Sequence, residues 1–195
     1  ENTVTVSAQV IPWTETEVDL NALTIGTTLP GQSSGINNGE QMNVYMSDGT
    51  ARDLLSTFTY NQSGDTWTSS PTIYWESIAG SPSFYASILR AAKLDPTQLD
   101  DYLIADPLAV ADGQPLNFTL RHPASKVTIQ LRSSDNTFST TELANMIITL
   151  PDYVTGGDHN NGIFEFPGNN PTGTINVPVI NNNATAIIRP QVVIN

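Results

Sequence analysis

Apolar side chains recur at every second position along most of the chain. In residues 3–11, Val4, Val6, Ala8 and Val10 alternate with polar neighbours. That is the period of a strand with one buried face. Residues 42–47, 54–61, 71–75, 83–89, 115–120, 126–131, 146–150, 162–166, 174–180 and 184–194 behave likewise. The intervening stretches 30–40, 61–67, 155–162 and 167–173 are dense in Gly, Asn, Asp and Pro, the residues that make turns. About ten short strands at this spacing predict a mainly β chain built as β-sandwiches.

Helical signals are few. Asp95-Pro96 offers an N-cap followed by proline at the first helical position, which predicts a short helix over Thr97-Gln98-Leu99-Asp100-Asp101-Tyr102-Leu103. Ser139 and Glu142 have the spacing of a capping box ahead of Leu143 and predict a second short helix. The turn cluster 111–115 is the best seam. It divides the chain into an N-terminal β-sandwich domain, 1–113, and a C-terminal one, 114–195, the latter short enough to be a truncated sandwich.

Composition narrows the function classes. With 195 residues and 38% hydrophobic side chains, the chain can bury a core. Only 13% are charged, and the net charge is −12. That balance argues against nucleic acid, whose phosphates need a basic footprint, and against anionic membrane surfaces. Having no cysteine, the chain can form no disulfide, thiolate metal site or cysteine nucleophile. No apolar run reaches the roughly 18–20 residues of a membrane helix. The opening Glu1-Asn2-Thr3, without a methionine, reads as a mature or trimmed form.

Candidate chemistry is sparse. His122 precedes Pro123 between two alternating runs, without the partner spacing of a nucleophile motif or a zinc motif, and reads as a hydrogen-bonded histidine at a strand end. His159, beside Asp158 and Asn160, sits in a loop with oxygen ligands but without the spacing of a calcium loop. It reads as a polar hairpin. Asp100, Asp101, Glu15, Glu17 and Asp19 read as solvated carboxylates, since a glycosidase pair needs a separation in space that sequence does not supply. Trp13, Trp67 and Trp75 are compatible with a glycan-stacking platform or with core packing. No catalytic residue, cofactor or metal ligand is expected, and the chain is not read as an enzyme.

Several segments carry a resemblance in their order. Tyr60, Trp67, Tyr74 and Trp75 come first, then Phe84, Tyr85 and Ala86, then Leu103 and Ala105. Phe118, His122, Ser125 and Lys126 follow, and Pro190 and Gln191 come late. Over residues 42–191 this succession resembles the fimbrillin superfamily of Bacteroidales, the pilins, pilus anchors and fimbrillin-like surface lipoproteins. The resemblance implies two transthyretin-like sandwich domains, a lipid anchor on the precursor, an outer-membrane or fimbrial location, and other pilus subunits as partners. It further implies assembly by strand exchange, in which a protease removes a first strand and a neighbour's strand fills the groove. Two features depart from it: the chain stops at Asn195 where the family continues, and residues 4–15 read like a strand that closes such a protein. Arg52 is the earliest arginine and so the first candidate processing site. The segments expected to exchange are 3–11, through Val4, Val6, Ala8 and Val10, and 184–194, through Ala184, Ala186 and Ile188. The alternative is a glycan-binding surface module using Trp13, Trp67 or Trp75.

Overall fold

The computed structural model describes residues 2–13, 18–19, 24–25, 35–131 and 138–190. Glu15, Glu17, Arg132, Gln191 and the side chain of Asp19 lie outside the described residues, as do the last four positions of the expected strand 184–194. The fold is mainly β, as the alternation predicts, and separates into two compact units. Unit 1 comprises residues 1–88 and 103–122, and unit 2 comprises 89–102 and 123–195.

Unit 1 is organised by a seven-stranded sheet. Its strands are β1 (Val6–Val10), β4 (Gln41–Ser47), β5 (Arg52–Asn61), β6 (Thr66–Ser69), β7 (Ser83–Ala91), β8 (Asp101–Ala105) and β9 (Leu116–Arg121), in the order β1-β9-β8-β7-β4-β5-β6. The short strands β2 (Val18–Asp19) and β3 (Thr24–Ile25) pair with each other. β9 shows how the pattern becomes structure: Leu116, Phe118 and Leu120 are buried, whereas Asn117, Thr119 and Arg121 are exposed. The inward rows of these strands form one core that includes Val4, Val6, Met42, Val44, Phe58, Phe84, Ile88 and Leu103.

Unit 2 holds a four-stranded antiparallel sheet, with strands β10 (Ser125–Gln130), β11 (Ile147–Val154), β14 (Thr172–Ile180) and β15 (Asn183–Ile188) in the order β10-β15-β14-β11. A hairpin of β12 (Asp158–Asn160) and β13 (Ile163–Glu165) lies between β11 and β14 in sequence. Its core gathers Ile175, Val177, Val179, Ala184, Ala186 and Ile188. Asn181 and Asn182, both with positive φ (49° and 62°), close the β14–β15 hairpin, the backbone that a tight two-residue turn demands. The helix α1 (Thr140–Ala144) starts where its capping box predicts, with Ser139 accepting from the Glu142 N–H and Glu142 accepting from the Ser139 N–H.

Three expectations are corrected. The Asp95 cap exists, since its carboxylate accepts from the Thr97 N–H at 2.9 Å. No helix follows it. The Asn176 N–H donates to Thr97 Oγ1, and Gln98 Nε2 donates to the Asn176 carbonyl, while Leu103, Ile104 and Ala105 are drawn into β8 as buried residues. A tertiary polar clamp and a buried strand outweigh a local helix start. Residues 71–75 form no strand and lead into a 3₁₀ turn at Trp75–Ser77. The turn at 111–115 is also no boundary between the units, because it delivers β9 into the sheet of unit 1.

Candidate functional site

The N-terminal segment builds one edge of unit 1. β1 runs parallel to β9, with Val6 opposite Leu116 and Val10 opposite Leu120. The Leu116 N–H donates to the Thr5 carbonyl at 2.9 Å, and the Ile11 N–H donates to the Leu120 carbonyl at 2.8 Å. The outer face adds two polar links, Ser7 Oγ to Asn117 Oδ1 at 2.6 Å and Gln9 Nε2 to Thr119 Oγ1 at 2.9 Å. Val4 and Val6 enter the core, and Ala8 and Val10 pack against it.

Before β1, the chain is tied on its other side. The Val4 N–H donates to the Ile73 carbonyl and the Trp75 N–H to the Asn2 carbonyl. The Asn2 N–H donates to Glu76 Oε1 at 3.0 Å, which holds the Glu76 carboxyl below its ordinary pKa. Gly113, at φ +80°, leaves room for the Asn2 side chain, whose Nδ2 would lie 2.6 Å from any Cβ placed there. After β1 the connection is long. Residues 11–40 intervene before β4, and β2 and β3 within that stretch pair with each other.

The second expected exchange segment has a different position. Ala184, Ala186 and Ile188 are 1%, 1% and 4% exposed. They lie on β15, which is bonded to β10 on one side and β14 on the other. A donated strand needs one free edge to leave by. β15 has neither, and its two-residue hairpin binds it closely to β14.

The three tryptophans form no common face. Trp75 is 5% exposed and meets Phe84 edge-on at 5.8 Å. Trp67 packs half-buried on the core and against Tyr60. Trp13 lies half-buried and stacks on His122, with ring centroids 3.7 Å apart. A glycan platform needs exposed faces, and core packing takes Trp67 and Trp75.

The remaining polar candidates are local. His122 follows β9 directly and lies under the Trp13 ring. His159 stacks flat on Tyr102 at 4.2 Å, and its Nε2 accepts the Gly162 N–H at 3.1 Å. Burial lowers its pKa from 6.5, because the buried site disfavours the charged ring. Between the depressed folded value and 6.5 the unfolded chain binds more protons, so this hairpin loses stability as pH falls below about 6.5. An NMR titration of the folded chain should show the His159 ring titrating below 6.5; a midpoint at or above that value would contradict the burial described. Among the described residues, no group of three or more His, Asp or Glu is arranged to hold a metal ion.

The sequence profile of the fimbrillin-like family matches residues 27–195. The chain belongs to that family. No curated protein sequence matches it. Two solved structures show the same fold. One, from Bacteroides uniformis and described as a candidate cell adhesion protein, is 18% identical and superposes with a TM-score of 0.53 over 80% of this chain and 70% of its own. The other, from Bacteroides ovatus and described in the same words, is 12% identical, with a TM-score of 0.53 over 97% and 78%.

In this fimbrillin-like chain the marker residues are architectural. Tyr60 and Trp67 form a cross-strand pair between β5 and β6, and Trp75 and Phe84 meet in the core. Ala86, Leu103, Ala105 and Phe118 fill the same core. Arg52, the candidate processing site, opens β5 half-buried with its guanidinium 5.6 Å from the Tyr85 ring centroid.

Proposed function

We propose that the chain is a non-enzymatic structural subunit of a surface fimbria, at the cell surface, assembled with other copies or related subunits by exchange of β1. The observation that carries this reading is the place of β1: an edge strand, apolar on its inner face, joined to the next strand of its sheet by residues 11–40. A strand so held can leave its own β9 and seat on that of a neighbour with the same contacts, the domain-swapping route to an assembly. Family membership supports the fimbrial role, and the descriptions of the two related structures support adhesion.

Cleavage after an arginine has no part in this exchange. Residues 1–51 contain no lysine or arginine, and a cut at Arg52 would also remove β4, whose Met42 and Val44 are fully buried. The segment 184–194 is not the exchanged strand in this reading, because β15 is central.

The reading is tested with a labelled peptide of residues 2–11 added in excess to the intact chain. The peptide should enter slowly, survive native electrophoresis, and be excluded when its positions 4, 6, 8 and 10 carry aspartate. Failure of the unmodified peptide to enter, with no oligomers formed by the chain itself, would remove strand exchange. Of the residues the glycan-binding alternative would use, Trp13 and Trp67 are half-buried and Trp75 is buried.

A further inference from the structure

The chain contains two Asn-Gly steps, Asn38-Gly39 and Asn161-Gly162, each preceded by a further asparagine. Both glycines have positive φ, 82° and 86°. Asparagine is among the chemically labile side chains, most of all before glycine. The glycine N–H is the nearest nucleophile to the side-chain amide, no Cβ hinders it, and joining the two closes a succinimide ring. What holds that peptide nitrogen decides whether the step reacts.

At Gly39 the nitrogen is held by a group that cannot take its proton. The Gly39 N–H donates to the Tyr60 carbonyl at 2.8 Å. The Asn38 side chain is also engaged, its Oδ1 accepting from the Gln62 N–H at 3.0 Å.

At Gly162 the acceptor is different in kind. The Gly162 N–H donates to His159 Nε2 at 3.1 Å, and an imidazole nitrogen can accept the proton outright. The hairpin enforces this geometry. Asn160 pairs with Ile163, which leaves Asn161 and Gly162 as a two-residue turn with both φ values positive, 43° and 86°. The flat stack on Tyr102 fixes the imidazole plane, and burial favours its neutral form. Asn161 is exposed at the tip of a hairpin whose strands have three residues each. A local opening of so short a ladder brings its amide to the Gly162 nitrogen.

We infer that Asn161 is a self-modification site, converted to aspartate or isoaspartate with His159 as the base. His159 Nε2 takes the Gly162 proton as that nitrogen bonds to Asn161 Cγ. The imidazolium then gives the proton to the departing side-chain nitrogen, the Cγ–N bond breaks, and ammonia leaves. Water opens the succinimide at either carbonyl. One water is consumed, one ammonia is released, and His159 is restored. Each conversion adds a carboxylate to a hairpin in which Asp158 already faces Glu165. Like charges on facing strands repel, so the converted hairpin is the looser one. The inference is independent of strand exchange.

Peptide mass spectrometry of the full chain, aged at neutral pH, reads both asparagines in the same molecules. Asn161 should convert at least about tenfold faster than Asn38, short of the roughly 100-fold or more that a positioned base supplies in an enzyme. His159→Gln keeps an acceptor for the Gly162 N–H but cannot take its proton. His159→Phe keeps a ring on Tyr102 without the acceptor. Both should bring Asn161 down toward the rate of Asn38 and leave Asn38 unchanged. A histidine that only held the turn would give another pattern, an unchanged rate in His159→Gln and a faster one in His159→Phe. The original chain unfolded in urea needs no variant: there the two sites should convert at similar rates. Equal rates in the folded chain, an undiminished rate at Asn161 in His159→Gln, or the same difference between the sites in urea would each overturn the inference.

Discussion

Phe84→Ala is expected to destabilise unit 1 by about 3–5 kcal/mol, lowering its melting temperature by roughly 15 °C for a unit of this size. Phe84 is 0% exposed, lies on β7 between β8 and β4, and receives the edge of Trp75 at an interplanar angle of 82°. Its backbone also exchanges two hydrogen bonds with Leu108, at 2.8 and 2.9 Å. The sheet cannot close over the missing ring, because β7 is fixed by neighbours on both sides. A cavity remains, and its cost adds to the lost burial. Tyr85 is the internal control: it is only half-buried and is not among the core residues, so Tyr85→Ala should cost much less. Tryptophan fluorescence during thermal unfolding reads both variants. Equal melting of Phe84→Ala and the original chain would mean that the core of unit 1 is not centred where Phe84 and Trp75 meet.

The alternation of residues 3–11, 42–47, 115–120 and 174–180 was enough to find their strands, because period two reports one buried face directly. The same signal says nothing about neighbours. Val4–Val10 and Ala184–Ile188 read alike, yet the first segment stands at the end of its sheet and the second lies in the middle of its own. That difference depends on partners far along the chain. β8 was missed for a related reason. Asp100 and Asp101 and the Asp95-Pro96 start resemble a helix, and only the burial of Leu103, Ile104 and Ala105 decides otherwise. The seam placed at 111–115 failed because a turn cluster marks a reversal of the chain whether or not a unit ends there. The succession of markers includes Trp67, Trp75, Phe84, Ala86, Leu103, Ala105 and Phe118, which lie in or against the core of unit 1.

The second large effect concerns assembly, and it is expected to be close to all-or-none. Ser7 and Asn117 stand opposite each other on the exposed face of the β1–β9 pair, with side chains already in contact at 2.6 Å. Neighbouring strands lie about 4.7–4.9 Å apart, within the range of Cα separations that a disulfide spans. The chain has no cysteine of its own, so Ser7→Cys with Asn117→Cys forms a single bridge. That bridge holds β1 on its own β9 without touching the core row of Val4, Val6, Ala8 and Val10. It leaves every other surface free to assemble.

The most direct measurement is a native-gel comparison of this one variant under oxidising and reducing conditions. Exchange of β1 predicts that the oxidised chain forms no ladder of oligomers, and that reduction restores the ladder of the original chain. An identical ladder in both lanes would show that the copies join elsewhere and would contradict the exchange of β1.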